Sequence, residues 1–231
     1  MGLKIGEQAG DLRHVVLEVH YDKAYRSEGA VDHAGIRFWA TKENVVRQRM
    51  GMMVVADPFA RFPHTLPPQQ TSVEVDMHCP PGCTATFREP MHVFASMTHA
   101  HLRATSVHTF LGTPSSKGHG VPVGAWRHVV ASGHFAHDHQ LFAPADFTLG
   151  LGDALRTTCK YDTTNDTEPV AFGPYTSNEM CMQVFLYWPK QYPFLCGYYS
   201  AEKFWCGDAT GFHYKTDADG VFFNETMKLS N

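Results

Sequence analysis

Short runs in which apolar and polar side chains alternate, each closed by Gly, Pro, Asn or Asp, limit most sharply what this chain can fold into. They cover residues 14–21, 35–40, 50–55, 72–77, 91–95, 126–131, 154–161 and 180–188. A period of two puts successive side chains on opposite faces, which suits a strand packed on one side and leaves no continuous helical stripe. Most of the 19 Gly and 14 Pro fall between the runs, as in FPHTLPPQQ, CPPGC and LGTPSSKGHGVPVG. The pattern predicts an all-β chain folded as an antiparallel, jelly-roll-like β-sandwich. Helical pieces are expected to be short, as near residues 41–48, and the Gly- and Pro-rich residues 111–124 read as a long, mobile hairpin loop.

Charge and cysteine content narrow the partners and the compartment. Nineteen Lys and Arg against 23 Asp and Glu leave a net charge of -4 over 231 residues. That field offers no basic footprint for a phosphate backbone, so nucleic acid is not an expected partner. No run approaches the roughly 18 consecutive apolar residues of a helical span, so no transmembrane segment is expected. The opening MGLKIGEQAGDLRH lacks the apolar core of a signal peptide. Six cysteines, with Cys79 and Cys83 close together in CPPGC, point instead to disulfides and an oxidising compartment. A zinc knuckle would need a second close pair of ligands, and Cys159, Cys181, Cys196 and Cys206 contain no CxxC. Two sequons, at Asn165 and Asn224, are glycosylation candidates and suit passage through a secretory lumen. Cysteines and sequons without a leader are what a piece of a longer exported protein would carry.

Fifteen histidines draw attention to metal chemistry, although abundance alone marks no site. His99-Ala100-His101 directly follows an alternating run, and residues i and i+2 of a strand can place two imidazoles on one ion. Two ligands alone do not hold a metal. A second group, His134, His137 and His139, sits in polar surroundings and reads as a surface loop or as neighbours of the first site. His20, on an apolar run, reads by itself as a structural residue. A cupin-like iron or manganese site would need a carboxylate soon after the HxH, and residues 102–111 contain none.

Five segments occur in order: LEVHYD, MHVFASMTHAHL, TCKYDTTN, the EMC triplet and FLYWP. Together they resemble the copper type II, ascorbate-dependent monooxygenases, over a stretch from about Gly2 to Cys196. The resemblance implies two consecutive β-sandwich domains with one copper each, of which this chain is similar to the second. It implies that His99, His101 and Met180 are the catalytic ligands of the copper that binds and activates dioxygen. Two neutral imidazoles and a soft thioether favour Cu(I) and leave a coordination position open. His20 matches one ligand of the other, electron-donating copper. The remaining ligands of that copper are an adjacent His-His pair in the family, and this sequence has none.

That absence divides the chain, by resemblance, into residues 1–28 as the last strand of a missing N-terminal copper domain plus linker, 29–200 as the copper-binding sandwich, and 201–231 as a C-terminal extension. The N-terminal copper domain is expected upstream. The resemblance also implies the pairs Cys159 with Cys181, Cys79 with Cys196, and Cys83 with Cys206. Met97, Met182 and Val184 replace the arginine, asparagine and tyrosine of the peptide-processing branch, so an amidation precursor is not the expected substrate. The dopamine branch shares the CxxxC spacing, yet Asp162 and Phe172-Gly173 depart from it. The implied activity is ascorbate-dependent hydroxylation of an activated C–H bond in a small amine or aromatic substrate by dioxygen, in the secreted fluid or a secretory-vesicle lumen, by a chain inactive alone. The alternative is a secreted copper-binding or scaffold module without turnover.

Overall fold

A computed structural model describes residues 2–6, 11, 13–17, 31–33, 35–42, 45–57, 64–113, 126–191, 195–200, 203–207, 214–216 and 227–229. For residues 56, 198–200, 203–207, 214–216 and 227–229 it describes the backbone alone. Contacts divide the chain into two units, Met1–Arg49 and Met50–Asn231.

In the first unit, no strand is formed among the described residues. The runs at 14–17 and 35–40, expected as strands, are not strands, and their side chains stand in water, with Val16 88% and Trp39 86% exposed. Alternation marks two faces but supplies neither a partner strand nor a core to cover one of them, and without those the backbone gains nothing from a ladder. Residues 18–21, including His20, lie outside the described residues. Where a short helix is expected near 41–48, the described residues contain one turn, closed by Val45 N–H on the Lys42 carbonyl at 3.2 Å. Asp11 receives Arg49 at 3.0 Å and Lys4 at 3.5 Å.

The second unit is a β-sandwich. Its strands are β1 (Gly51–Ala56), β2 (Thr65–Leu66), β3 (Val73–Cys79), β4 (Met91–Ala100), β5 (Ala104–Gly112), β6 (Trp126–Ser132) and β7 (Ala143–Leu149). They continue with β8 (Ala154–Tyr161), β9 (Val170–Ala171), β10 (Cys181–Trp188), β11 (Leu195–Ser200), β12 (Lys203–Gly207), β13 (Tyr214–Thr216) and β14 (Met227–Leu229). The remaining six runs read as strands in the sequence all lie on these elements. One sheet runs β13-β12-β11-β1-β10-β4-β7 and the other β14-β3-β8-β5-β6, with a separate β2-β9 pair. All pairings between these strands are antiparallel except β1 with β11. The hairpin expected around 111–124 joins β5 to β6, with β5 extending through Gly112 and residues 114–125 outside the described set.

Alternate residues of both sheets meet in one core, including Met53 and Val55 of β1, Val75 and Met77 of β3, Cys159 and Tyr161 of β8, and Phe185 and Tyr187 of β10. Two disulfides cross it. Cys159 bonds to Cys181, joining β8 to β10 over a separation of 22 residues, and Cys79 bonds to Cys196, joining β3 to β11 over 117. Both link one sheet to the other. The sulfurs of Cys79, Cys83 and Cys196 converge, but all three are disulfide-bonded and so offer no thiolates to zinc. The expected pairing of Cys83 with Cys206 falls on a side chain outside the described residues.

Candidate metal centre

The register of one strand pair brings the sequence-distant residues together. β4 and β10 run antiparallel with His99 opposite Met182 and Ala100 opposite Cys181. The C-terminal end of β4 therefore lies beside the N-terminal end of β10. His101, just past β4, and Met180, just before β10, must then flank His99 at the same end of the sheet. His99 Nε2 and Met180 Sδ lie 3.2 Å apart, although 81 residues separate them in sequence. The His99 and His101 rings meet edge to face with centroids 5.3 Å apart.

Each group is held from behind. His101 is 6% exposed, and its Nδ1–H donates to the Asn178 carbonyl at 3.0 Å, which leaves Nε2 with a free lone pair. Gln140 Oε1 stands 2.5 Å from His99 Nδ1. The Met180 backbone is fixed by the Tyr161 hydroxyl, which donates to its carbonyl at 2.8 Å, and by the neighbouring Cys159–Cys181 bond. Tyr161 is fully buried, and burial pushes its phenol well above the ordinary range.

Burial biases the imidazoles toward their neutral forms. Burial, as the largest cause, lowers the proton affinity of both His99 and His101, and the nearby His137 adds to it. The carboxylate next to the centre does not point a free oxygen at it. Glu179, fully buried, accepts the His101 amide at 3.0 Å and the Arg103 amide at 2.8 Å, and burial raises its carboxyl to about 7 against the pull of those amides. It thereby staples the turn after β4 to the residue preceding Met180. Arg103 in turn grips Asp166 through two bonds of 2.7 Å.

This donor set fits a soft metal. With metal–nitrogen and metal–sulfur lengths of about 2.0 and 2.3 Å, donors sharing one ion stand roughly 3–3.5 Å apart. The His99–Met180 separation of 3.2 Å falls in that range. Of the second histidine group, His137 lies with its ring centroid 6.1 Å from that of His101, while His134 and His139 are exposed. The sequence pattern gives no reason to single out Gln140 or Asn178 and includes Glu179 only within the EMC triplet; their roles come from contacts 40 or more residues away along the chain. The one signal for Glu179 is its place in the EMC triplet, directly before the candidate ligand Met180.

Residues 49–206 match the family described as copper type II ascorbate-dependent monooxygenase, C-terminal domain. The chain belongs to this family. Copper and ascorbate are the family's cofactors. Among individual relatives, DBH-like monooxygenase protein 1 of Homo sapiens is 28% identical over 203 residues, covering 82% of this chain and 30% of that protein. Tyramine beta-hydroxylase of Caenorhabditis briggsae is 32% identical over 199 residues, covering 84% and 32%. Dopamine beta-hydroxylase of Equus caballus is 30% identical over 200 residues, covering 84% and 31%. The chain thus spans about 30% of the length of the curated relatives it matches. No helix among the described residues is long and apolar enough to cross a membrane.

Proposed function

We propose that this chain carries the dioxygen-copper site of a monooxygenase that hydroxylates an activated C–H bond in a small amine or aromatic substrate. The observation that carries this reading is the meeting of His99 Nε2 and Met180 Sδ at 3.2 Å beside His101. These three residues would hold copper through two imidazoles and a thioether, a neutral soft set that suits Cu(I). Bound copper supplies the one-electron chemistry by which dioxygen is reduced and the C–H bond oxidised. Ascorbate provides the electrons; one oxygen atom enters the substrate and the other leaves as water.

The chain's own residues prepare that site. Asn178 orients the His101 ring, Tyr161 anchors the backbone that carries the thioether, and Glu179 spends its oxygens on backbone amides, so that no anionic donor competes for the ion. Met97 and Met182 are half-buried on β4 and β10, Met182 opposite His99, and by the family resemblance Met97 replaces the arginine that would hold a substrate carboxylate. An electron-donating copper would belong to a neighbouring domain, since the 231 residues contain no His-His pair to hold it. This reading assigns residues 1–28, with His20, to that domain and its linker, 29–200 to the copper sandwich and 201–231 to an extension. The two disulfides and the exposed Asn165 support an oxidising, secretory location; Asn224 lies outside the described residues.

X-ray absorption on the reduced, copper-loaded chain tests the site. About one Cu(I) per chain with a sulfur neighbour is expected, and the sulfur contribution should vanish in Met180→His. A sulfur signal that survives this substitution would exclude the ligand assignment.

A further inference from the structure

Gln140 follows the 3-10 turn His137–His139 and touches the candidate centre without being a metal donor itself. Its Oε1 lies 2.5 Å from His99 Nδ1, while its Nε2 donates to the His137 carbonyl at 2.8 Å and, more weakly, to the Ala100 carbonyl at 3.4 Å. Those last two contacts settle which way round the amide sits. Turned over, its oxygen would face two carbonyl oxygens, acceptor against acceptor, and both bonds would be lost. With Oε1 toward His99, the oxygen can only accept, so the proton between them belongs to His99 Nδ1. A neutral imidazole carries a single N–H. Nε2 is then a bare lone pair facing Met180 Sδ at 3.2 Å.

The other tautomer would close the site. An N–H on Nε2 would donate to the Met180 sulfur across the same 3.2 Å, tying up both donors in a weak N–H···S bond. We propose that Gln140 is a positioning residue that selects the His99 tautomer, and so keeps His99 Nε2 and Met180 Sδ open as a donor pair. It does for His99 what the Asn178 carbonyl does for His101, and it does so from a separate element, the turn between β6 and β7. Its hold on the Ala100 carbonyl also ties that turn to the end of β4, between the two histidines. The tautomer assignment stands on the metal-free protein; its consequence for copper rests on the function proposed above.

Long-range proton–nitrogen NMR on the metal-free 231-residue chain, at a pH where the imidazoles are neutral, reads each tautomer directly. Both His99 and His101 of the wild type should be Nδ1–H. In Gln140→Leu, which has similar bulk and no acceptor, His99 should turn to the Nε2–H form while His101 stays Nδ1–H, which also reports that the fold is intact. Cu(I) affinity, from competition with a chromophoric chelator, should fall about 10- to 100-fold in Gln140→Leu. Wild-type His99 found as Nε2–H would overturn the proposal whether or not any variant folds. So would a Leu variant with tautomer and Cu(I) affinity unchanged. A wild type in the Nδ1–H form that binds no Cu(I) would support the tautomer assignment and overturn the copper reading instead.

Discussion

Asp166 and Arg103 show how a side chain outside the centre can be tested separately from it. The guanidinium forms two bonds of 2.7 Å to the carboxylate and holds it below its ordinary value of 3.8. A carboxyl with a depressed folded value adds stability above the unfolded value and loses it as pH falls through the folded one. Asp166→Asn should therefore cost about 1 kcal/mol at neutral pH, the ordinary worth of a partly exposed pair, and nothing in strong acid. Urea midpoints of both proteins at the two pH values check this, and an equal cost at both would show that charge is not the cause. His99, His101 and Met180, which the structure brings together at one end of the sheet, could be named from the sequence through the HxH and, by family resemblance, the EMC triplet. Gln140 could not. It neither titrates nor nucleophilically attacks, it lies in a polar loop, and its meaning depends on a ring 41 residues away. Glu179 was hidden for a related reason, since its partners are backbone amides that no residue type announces.

Among the elements, strands with one buried face were readable and those with a special position were not. β7 reads APADFTL, and Pro144 argues against a strand until it is seen at the sheet's edge, where a missing N–H costs no ladder bond. In β5, Phe110 breaks the apolar-in pattern because it faces outward, under the Arg156 guanidinium at 4.9 Å. The runs at 14–17 and 35–40 failed in the opposite sense, having the pattern but no partner. The two cross-sheet disulfides allow a graded test. By loop length, removing Cys159–Cys181 should lower stability by about 3 kcal/mol and removing Cys79–Cys196 by about 4–5 kcal/mol. Denaturant titration of the two paired Cys→Ser variants checks the order. A larger loss for the shorter loop would locate the benefit in native packing rather than in the unfolded chain.

For the molecule as a whole, the function proposed above implies that the 231 residues alone should bind copper but not turn over. The 231 residues contain no His-His pair. The isolated chain, loaded with copper and given ascorbate and oxygen, is therefore expected to form no hydroxylated tyramine, dopamine or glycine-extended peptide by mass spectrometry. Joining it to a family domain that carries such a pair should restore activity toward an amine or aromatic substrate. Several turnovers by the chain alone would refute this reading and place both redox functions within it.

The 81-residue separation of His99 and Met180 also imposes an order of events during synthesis. Both histidines leave the ribosome well before the thioether, and the thioether reaches them only once β10 has slotted between β1 and β4. On the ligand set proposed above, a nascent or truncated chain that stops short of Met180 would carry the two histidines without the thioether that favours a soft ion. On that ligand set, selectivity for copper would be the last property the site acquires, so the metal it carried would record whether the polypeptide was finished before it was loaded.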